Sequence, residues 1–133
     1  MPRAKVRMLA VEDNDLDQQM VEHIAKRAKD DVDLTMVSNY QELKAAIVHP
    51  EGFHLVLSDY NLGSNDGADV ARESPYHTVI MTGWPVEKIA ERAVSAGALS
   101  AISKDVLLKD PRELDKLISM ARESVVGKAP SMV

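Results

Sequence analysis

The sequence predicts one α/β domain: a parallel sheet with helices packed on both faces. Five short apolar runs alternate strictly with five segments of helical periodicity, the pattern of repeated strand–helix–strand units joined by right-handed crossovers. The first run, Val6–Val11, is nearly all apolar, as a strand covered on both faces is. Each of the five ends abruptly in polar or glycine-containing sequence, as strands bounded by turns do.

The first strand is expected over Val6–Val11, ending in Glu12-Asp13-Asn14-Asp15. Leu16, Met20, Ile24 and Ala28 then recur at i+4 beside Val21 and Ala25, which predicts an amphipathic helix over 16–28 capped by Asn14 or Asp15. Lys26, Arg27 and Lys29 crowd its last turn, where cations complement the dipole. Asp33–Val37 is the second strand, and Ser38 or Asn39 caps a helix from Tyr40 to about Val48 with Leu43, Ala46 and Ile47 inward. His49-Pro50 ends that helix, because the residue before proline leaves the helical region.

The third strand runs from Phe53 or His54 to Ser58 and meets Asp59 at its carboxyl end. Asp66-Gly67 opens a third helix of about two turns, Ala68–Glu73, stopped by Ser74-Pro75. Thr78–Thr82 is the fourth strand. Pro85 suits the first turn of a helix carrying Val86, Ile89, Ala90, Ala93 and Val94, with Gly97 as its C′ residue. Leu99–Ser103 is the fifth strand, ending at Lys104. Asp110-Pro111-Arg112-Glu113 starts the last helix, whose stripe is Leu114, Leu117, Ile118, Ala121 and Val125. Residues 128–133 read as a frayed tail after a single domain over 1–127, with no output domain following.

Composition removes several functional classes. The chain has 133 residues and no cysteine, which excludes a disulfide framework, thiolate chemistry and a cysteine-based zinc site. A net charge of −5 argues against a nucleic-acid partner, which needs a basic face. No apolar run approaches the roughly 20 residues that cross a bilayer, and Glu12 and Asp13 interrupt any secretory leader, so a cytoplasmic location away from membranes is expected. His23, His49, His54 and His77 lack metal spacing and read as structural or surface residues. The phosphate-loop and dinucleotide glycine motifs are both absent.

Chemistry gathers at the strand ends. Glu12 and Asp13 follow the first strand, Asp59 closes the third, Thr82 the fourth, and Lys104 the fifth. In a parallel sheet these ends share one edge, where open α/β sheets bind ligands. Three carboxylates there raise one another's pKa values unless a cation joins them, and an oxygen-rich set suits Mg²⁺. Lys104 and the Thr82 hydroxyl supply donors for an oxyanion or a phosphoryl group.

This ordered set, an acidic pair, an Asp, an Asp-Gly, a Thr and a Lys, resembles the receiver domain of two-component response regulators across Val6–Val125. The resemblance implies a flavodoxin-like (βα)5 sheet of order 2-1-3-4-5. It implies that Asp59 takes a phosphoryl group from the histidine of a kinase or phosphotransfer protein by nucleophilic attack. Asp13 and Asp59 would hold Mg²⁺ (or Mn²⁺) directly, Glu12 mainly through water, and Asn61 through its main-chain carbonyl. Lys104 would neutralise the transferred oxygens, and Thr82 would bond to one of them. The protein would be a signalling switch rather than an enzyme, a stand-alone receiver relaying or storing phosphoryl groups and binding a further protein. A monomer is expected, with a phosphorylation-linked dimer as the alternative. Glu87, Lys88, Glu91 and Arg92, with Arg112, Asp115 and Lys116, are the expected partner-facing charges.

The sequence departs from the family at three places. Ala101 stands where an aromatic switch residue is usual, so aromatic gating cannot operate there. Asp105 follows the Lys in place of the usual Pro, which removes the rationale for a cis bond. The segment from Gly67 to Thr82 is short, and Thr82-Gly83-Trp84-Pro85 resembles a subfamily with Thr-Gly-aromatic in that loop. Gly83 would lend the loop backbone freedom and Trp84 would shield the phosphoryl group from water. Two other readings remain: an unphosphorylated pseudo-receiver acting as an interaction module, and a Mg²⁺-dependent phosphohydrolase. The second expects another acid two residues after the nucleophile, where this chain has Asn61.

Overall fold

Side chains that point alternately to the two faces of the sheet build a three-layer molecule. The computed structural model describes residues 5–123. Strands β1 (Lys5–Val11), β2 (Asp31–Val37), β3 (Leu55–Asp59), β6 (Thr78–Thr82) and β7 (Ser100–Ser103) form one parallel sheet in the order β2-β1-β3-β6-β7. Counting only these five, the order is the 2-1-3-4-5 of the flavodoxin-like fold, as expected from the sequence.

On one face Met8, Ala10, Leu55, Leu57, Val79 and Met81 pack under α1 (Asp15–Lys26) and α6 (Pro111–Glu123). The residues between them point the other way. Leu9, Val11 and Val56 meet α2 (Tyr40–Ala46) and α3 (Gly67–Glu73), while Ile80 meets α3 and α4 (Ala90–Ser95). The central strands β3 and β6 are buried at every position, which explains the apolar runs Leu55–Leu57 and Val79–Met81 within them.

Local chemistry sets most boundaries. Asn14 and Asn39 are the N-caps of α1 and α2, accepting from Asp17 N and Glu42 N. Asp66 caps α3 in a reciprocal capping box with Asp69. Asp110 Oδ1 accepts from Arg112 N at the start of α6. Gly97, at φ 101°, ends α4: its N–H reaches Val94 O and that of Ala98 reaches Ala93 O, a Schellman arrangement.

Several expectations need correction. Strict alternation of five strands and five helices fails twice. A two-stranded antiparallel hairpin, β4 (Asn61–Leu62) with β5 (Asn65–Asp66), follows β3, and an extra short helix, α5 (Lys104–Lys109), follows β7 directly. Ser103 Oγ accepts from Val106 N at its start, and Leu107 and Leu108 anchor it in the core. Six residues are too few to display a helical period, so this element was not legible. The segment after Pro85 is broken into a 3-10 turn (Val86–Lys88) and α4; Ile89 and Ala93 are buried, but Val94 is exposed. Leu16 is also exposed, because the inward face of α1 begins a turn later, at Val21, Ile24 and Ala25. Val125 and the 128–133 tail lie outside the described residues. Among the described residues no peptide bond is cis, and no helix is long and apolar enough to cross a membrane.

Candidate functional site

Sheet register brings the strand-end residues together. Val11 pairs with Ser58, Asp59 with Met81, and Thr82 with Ser103. One step beyond these pairs, Glu12, Asp59, Thr82 and Lys104 therefore line a single edge. Main-chain bonds hold that edge: Glu12 N donates to Val37 O at 3.0 Å and Tyr60 N to Met81 O at 2.9 Å.

Three carboxylates meet there. Oxygens of Glu12, Asp13 and Asp59 lie within 4.8 Å of one another, with Asp13 exposed and the other two buried. Burial pushes the Glu12 carboxyl up to about 7, against the pull of Lys104 and the Asn14 N–H. Burial likewise raises Asp59, opposed by Lys104 and by the main-chain N–H of Asn61. Lys104 Nζ is 2.9 Å from Glu12 Oε2, 3.0 Å from Asp17 Oδ2 and 3.3 Å from Asp59 Oδ2. Burial alone would lower the Lys104 pKa, but the neighbouring carboxylates of Glu12, Asp17 and Asp59 raise it overall. The ammonium projects from the first residue of α5, the helix end that disfavours cations, so the carboxylates offset that cost.

Glu12 also tests whether a metal fits. Its side chain is 0% exposed, and Oε1 accepts from Asn14 N at 3.1 Å. Oε2 has no hydrogen-bond partner; Lys104 Nζ is close enough for an ion pair but off the direction a hydrogen bond requires. A buried carboxylate oxygen left so is costly. An all-oxygen set of this size, partly open through Asp13, suits a hard divalent cation such as Mg²⁺ or Mn²⁺. The residues present fit such an ion.

The remaining predicted positions differ in how closely they join the site. Thr82 is fully buried, and its Oγ1 accepts from Trp84 N at 2.9 Å, so its own O–H proton is left to donate elsewhere. Asn61 is exposed at the start of the hairpin, beside Asp59 through its main-chain N–H. Trp84 is 52% exposed and tilts against Tyr60, ring centroids 5.8 Å apart. Gly83 has open space where a Cβ would stand and no left-handed φ, so this conformation does not require glycine there. Ala101 packs against the cluster around Ile80.

Gly67 has a clearer reason. A Cβ there would lie 2.9 Å from Ile80 Cγ2 and 3.1 Å from the carbonyl oxygen of Asp59. The helix start can thus close against the strand end only without a side chain.

Of the expected partner-facing charges, Arg92 pairs with Asp66, Arg112 with Asp110 and Lys116 with Glu113, while Asp115 accepts from Lys29 N. Glu87, Lys88 and Glu91 are exposed. His54 is a structural residue, its Nδ1 accepting from Arg7 N. Sequence reasoning missed Asp17, which reads as an ordinary helix-start acid until the fold carries Lys104 to it.

No protein-family model and no curated protein matches the sequence. Solved structures do. The phosphorylated cyanobacterial phytochrome response regulator RcpA superposes with a TM-score of 0.75 at 17% identity, over 96% of this chain and 100% of that one. The receiver domain of the response regulator NarL from Mycobacterium tuberculosis gives 0.77 at 21%, over 90% and 98%. The Mn²⁺-bound response regulator Rcp1 gives 0.67 at 22%, over 93% and 99%. At these identities the likeness establishes the fold, which is that of response-regulator receiver domains.

Proposed function

We propose that the protein is a phosphorylation-dependent signalling switch in which Asp59 accepts a phosphoryl group from a phosphohistidine. One observation carries this reading. A buried Asp at a strand end sits 3.3 Å from a partly buried Lys and beside two further carboxylates, one with a buried oxygen that no hydrogen bond satisfies.

Glu12, Asp13 and Asp59 would hold Mg²⁺, with Mn²⁺ as the alternative, and the Asn61 carbonyl would add a main-chain ligand. When bound, the ion neutralises negative charge on the transferring oxygens. The chain's own groups do the rest. An Asp59 carboxylate oxygen attacks phosphorus; the P–N bond to the donor imidazole breaks, and its electron pair leaves with the ring nitrogen, which is protonated. Lys104 shifts from the Asp59 carboxylate toward a phosphoryl oxygen, keeping that charge paired. The Thr82 hydroxyl donates to another phosphoryl oxygen, and the Thr82–Trp84 bond ties this movement to the loop after β6.

The receiver domain of yeast Ssk1, which resembles this chain with a TM-score of 0.72, was solved with the histidine phosphotransfer protein Ypd1. This supports a kinase or phosphotransfer donor as the partner. A non-enzymatic, cytoplasmic role as a relay or phosphate store follows from the same reading. Loss of the phosphoryl group is slow where Trp84 shields it from water. Incubation with phosphorylated histidine kinases and phosphotransfer proteins should label the wild type and leave Asp59→Ala unlabelled; equal labelling of both would overturn the reading.

A further inference from the structure

We propose that Asp17 is a positioning residue for phosphoryl transfer, the carboxylate that keeps Lys104 in place when its other two partners are engaged. This rests on the phosphoacceptor reading of Asp59.

Lys104 Nζ stands within ion-pair distance of three carboxylates, on Glu12, Asp17 and Asp59, at 2.9, 3.0 and 3.3 Å, and its hydrogen bond goes to Asp17. Two of the three belong to the oxygen cluster suited to a divalent cation, and Asp17 does not. A cation on Glu12 and Asp59 competes with the ammonium for the same oxygens and repels it. Transfer to Asp59 then consumes a further share of that carboxylate's charge. Through both changes Asp17 remains the partner that nothing else in the site claims.

Its own position is well fixed. Asp17 N donates to the Asn14 side chain at 2.9 Å, and the next residue, Gln18, donates from Nε2 to Glu12 O and to Ser38 Oγ. The first turn of α1 is thereby tied to the ends of β1 and β2, and Asp17 holds a set place relative to Glu12. An acid in a first helical turn often serves the helix dipole alone. That role needs nothing from Lys104, which lies 87 residues away in sequence yet is bonded at 3.0 Å.

The test is a double-mutant cycle. With acetyl phosphate and Mg²⁺, Asp17→Asn should lower the limiting rate of Asp59 phosphorylation by roughly 10–100-fold, the usual cost of losing a residue that orients a functional group. The KM for acetyl phosphate should be little changed, and Asp17→Glu should recover part of the rate. In a Lys104→Met background Asp17→Asn should add no further loss. Beryllofluoride affinity supplies the same cycle where rates are too slow to follow. In metal-free buffer, thermal melts should show the same coupling between the two residues. A wild-type rate in Asp17→Asn, or an equal loss with and without Lys104, overturns the inference while leaving the Asp59 reading intact. A wild type that takes no phosphoryl group overturns both.

Discussion

Removing the charge of Glu12 should change how stability depends on pH, and the structure sets both sign and size. The side chain is fully buried, Oε2 lacks a hydrogen bond, and burial moves its pKa from 4.5 to about 7. The folded protein therefore holds this proton more tightly than the unfolded chain does. Without metal, the contribution is complete below about pH 4.5 and is lost as pH rises through about 7. A displacement of that size corresponds to about 3 kcal/mol, or roughly 10 °C in melting temperature for a domain of this length.

Asp59 is shifted in the same sense and is common to both proteins in the comparison. Lys104, raised above the ordinary lysine range, contributes throughout this window and loses its effect only at higher pH. Thermal melts in chelator between about pH 5 and pH 7.5 should show the wild type losing stability and Glu12→Gln losing much less. Excess Mg²⁺ should remove most of the wild-type loss, because the ion binds the ionised form. Identical pH slopes for the two proteins in chelator would refute the burial argument, and with it the use of Glu12 as evidence for a cation site.

Two further outcomes follow from the same geometry. Gly67→Ala places a Cβ against Ile80 and the Asp59 carbonyl, at 2.9 and 3.1 Å, and should cost about 1–3 kcal/mol, read as a lower melting temperature; an unchanged melt would mean that the α3–β3 contact yields freely. Trp84→Ala should shorten the lifetime of the phosphorylated form on the order of tenfold, equivalent to about 1.4 kcal/mol in the barrier to water attack. An unchanged lifetime would assign Trp84 to packing on Tyr60 alone.

The sheet and the site were legible to different degrees. Val79 to Met81 and Leu55 to Leu57 announce buried parallel strands, because burial on both faces leaves no polar position to mislead. The gathering of Glu12, Asp59, Thr82 and Lys104 followed from parallel topology alone, since each residue stands at or one step past a strand end. What failed was local and short. The helix Lys104–Lys109 is held by Leu107 and Leu108 in the core, and the Asn61–Asp66 hairpin by four residues, so neither carries a period to detect. Leu16 was misplaced because apolar spacing does not say which turn of a helix first meets the sheet. Asp17 was missed because its significance is a contact between distant parts of the chain, and nothing local separates it from a dipole-serving acid.

The central claim is that Asp59 is a Mg²⁺-dependent phosphoacceptor. Intact-mass measurement after incubation with acetyl phosphate tests it most directly. The account predicts one added phosphoryl group on the wild type with Mg²⁺, none with chelator, and none on Asp59→Asn. Addition to Asp59→Asn, or none to the wild type with Mg²⁺ present, would contradict it.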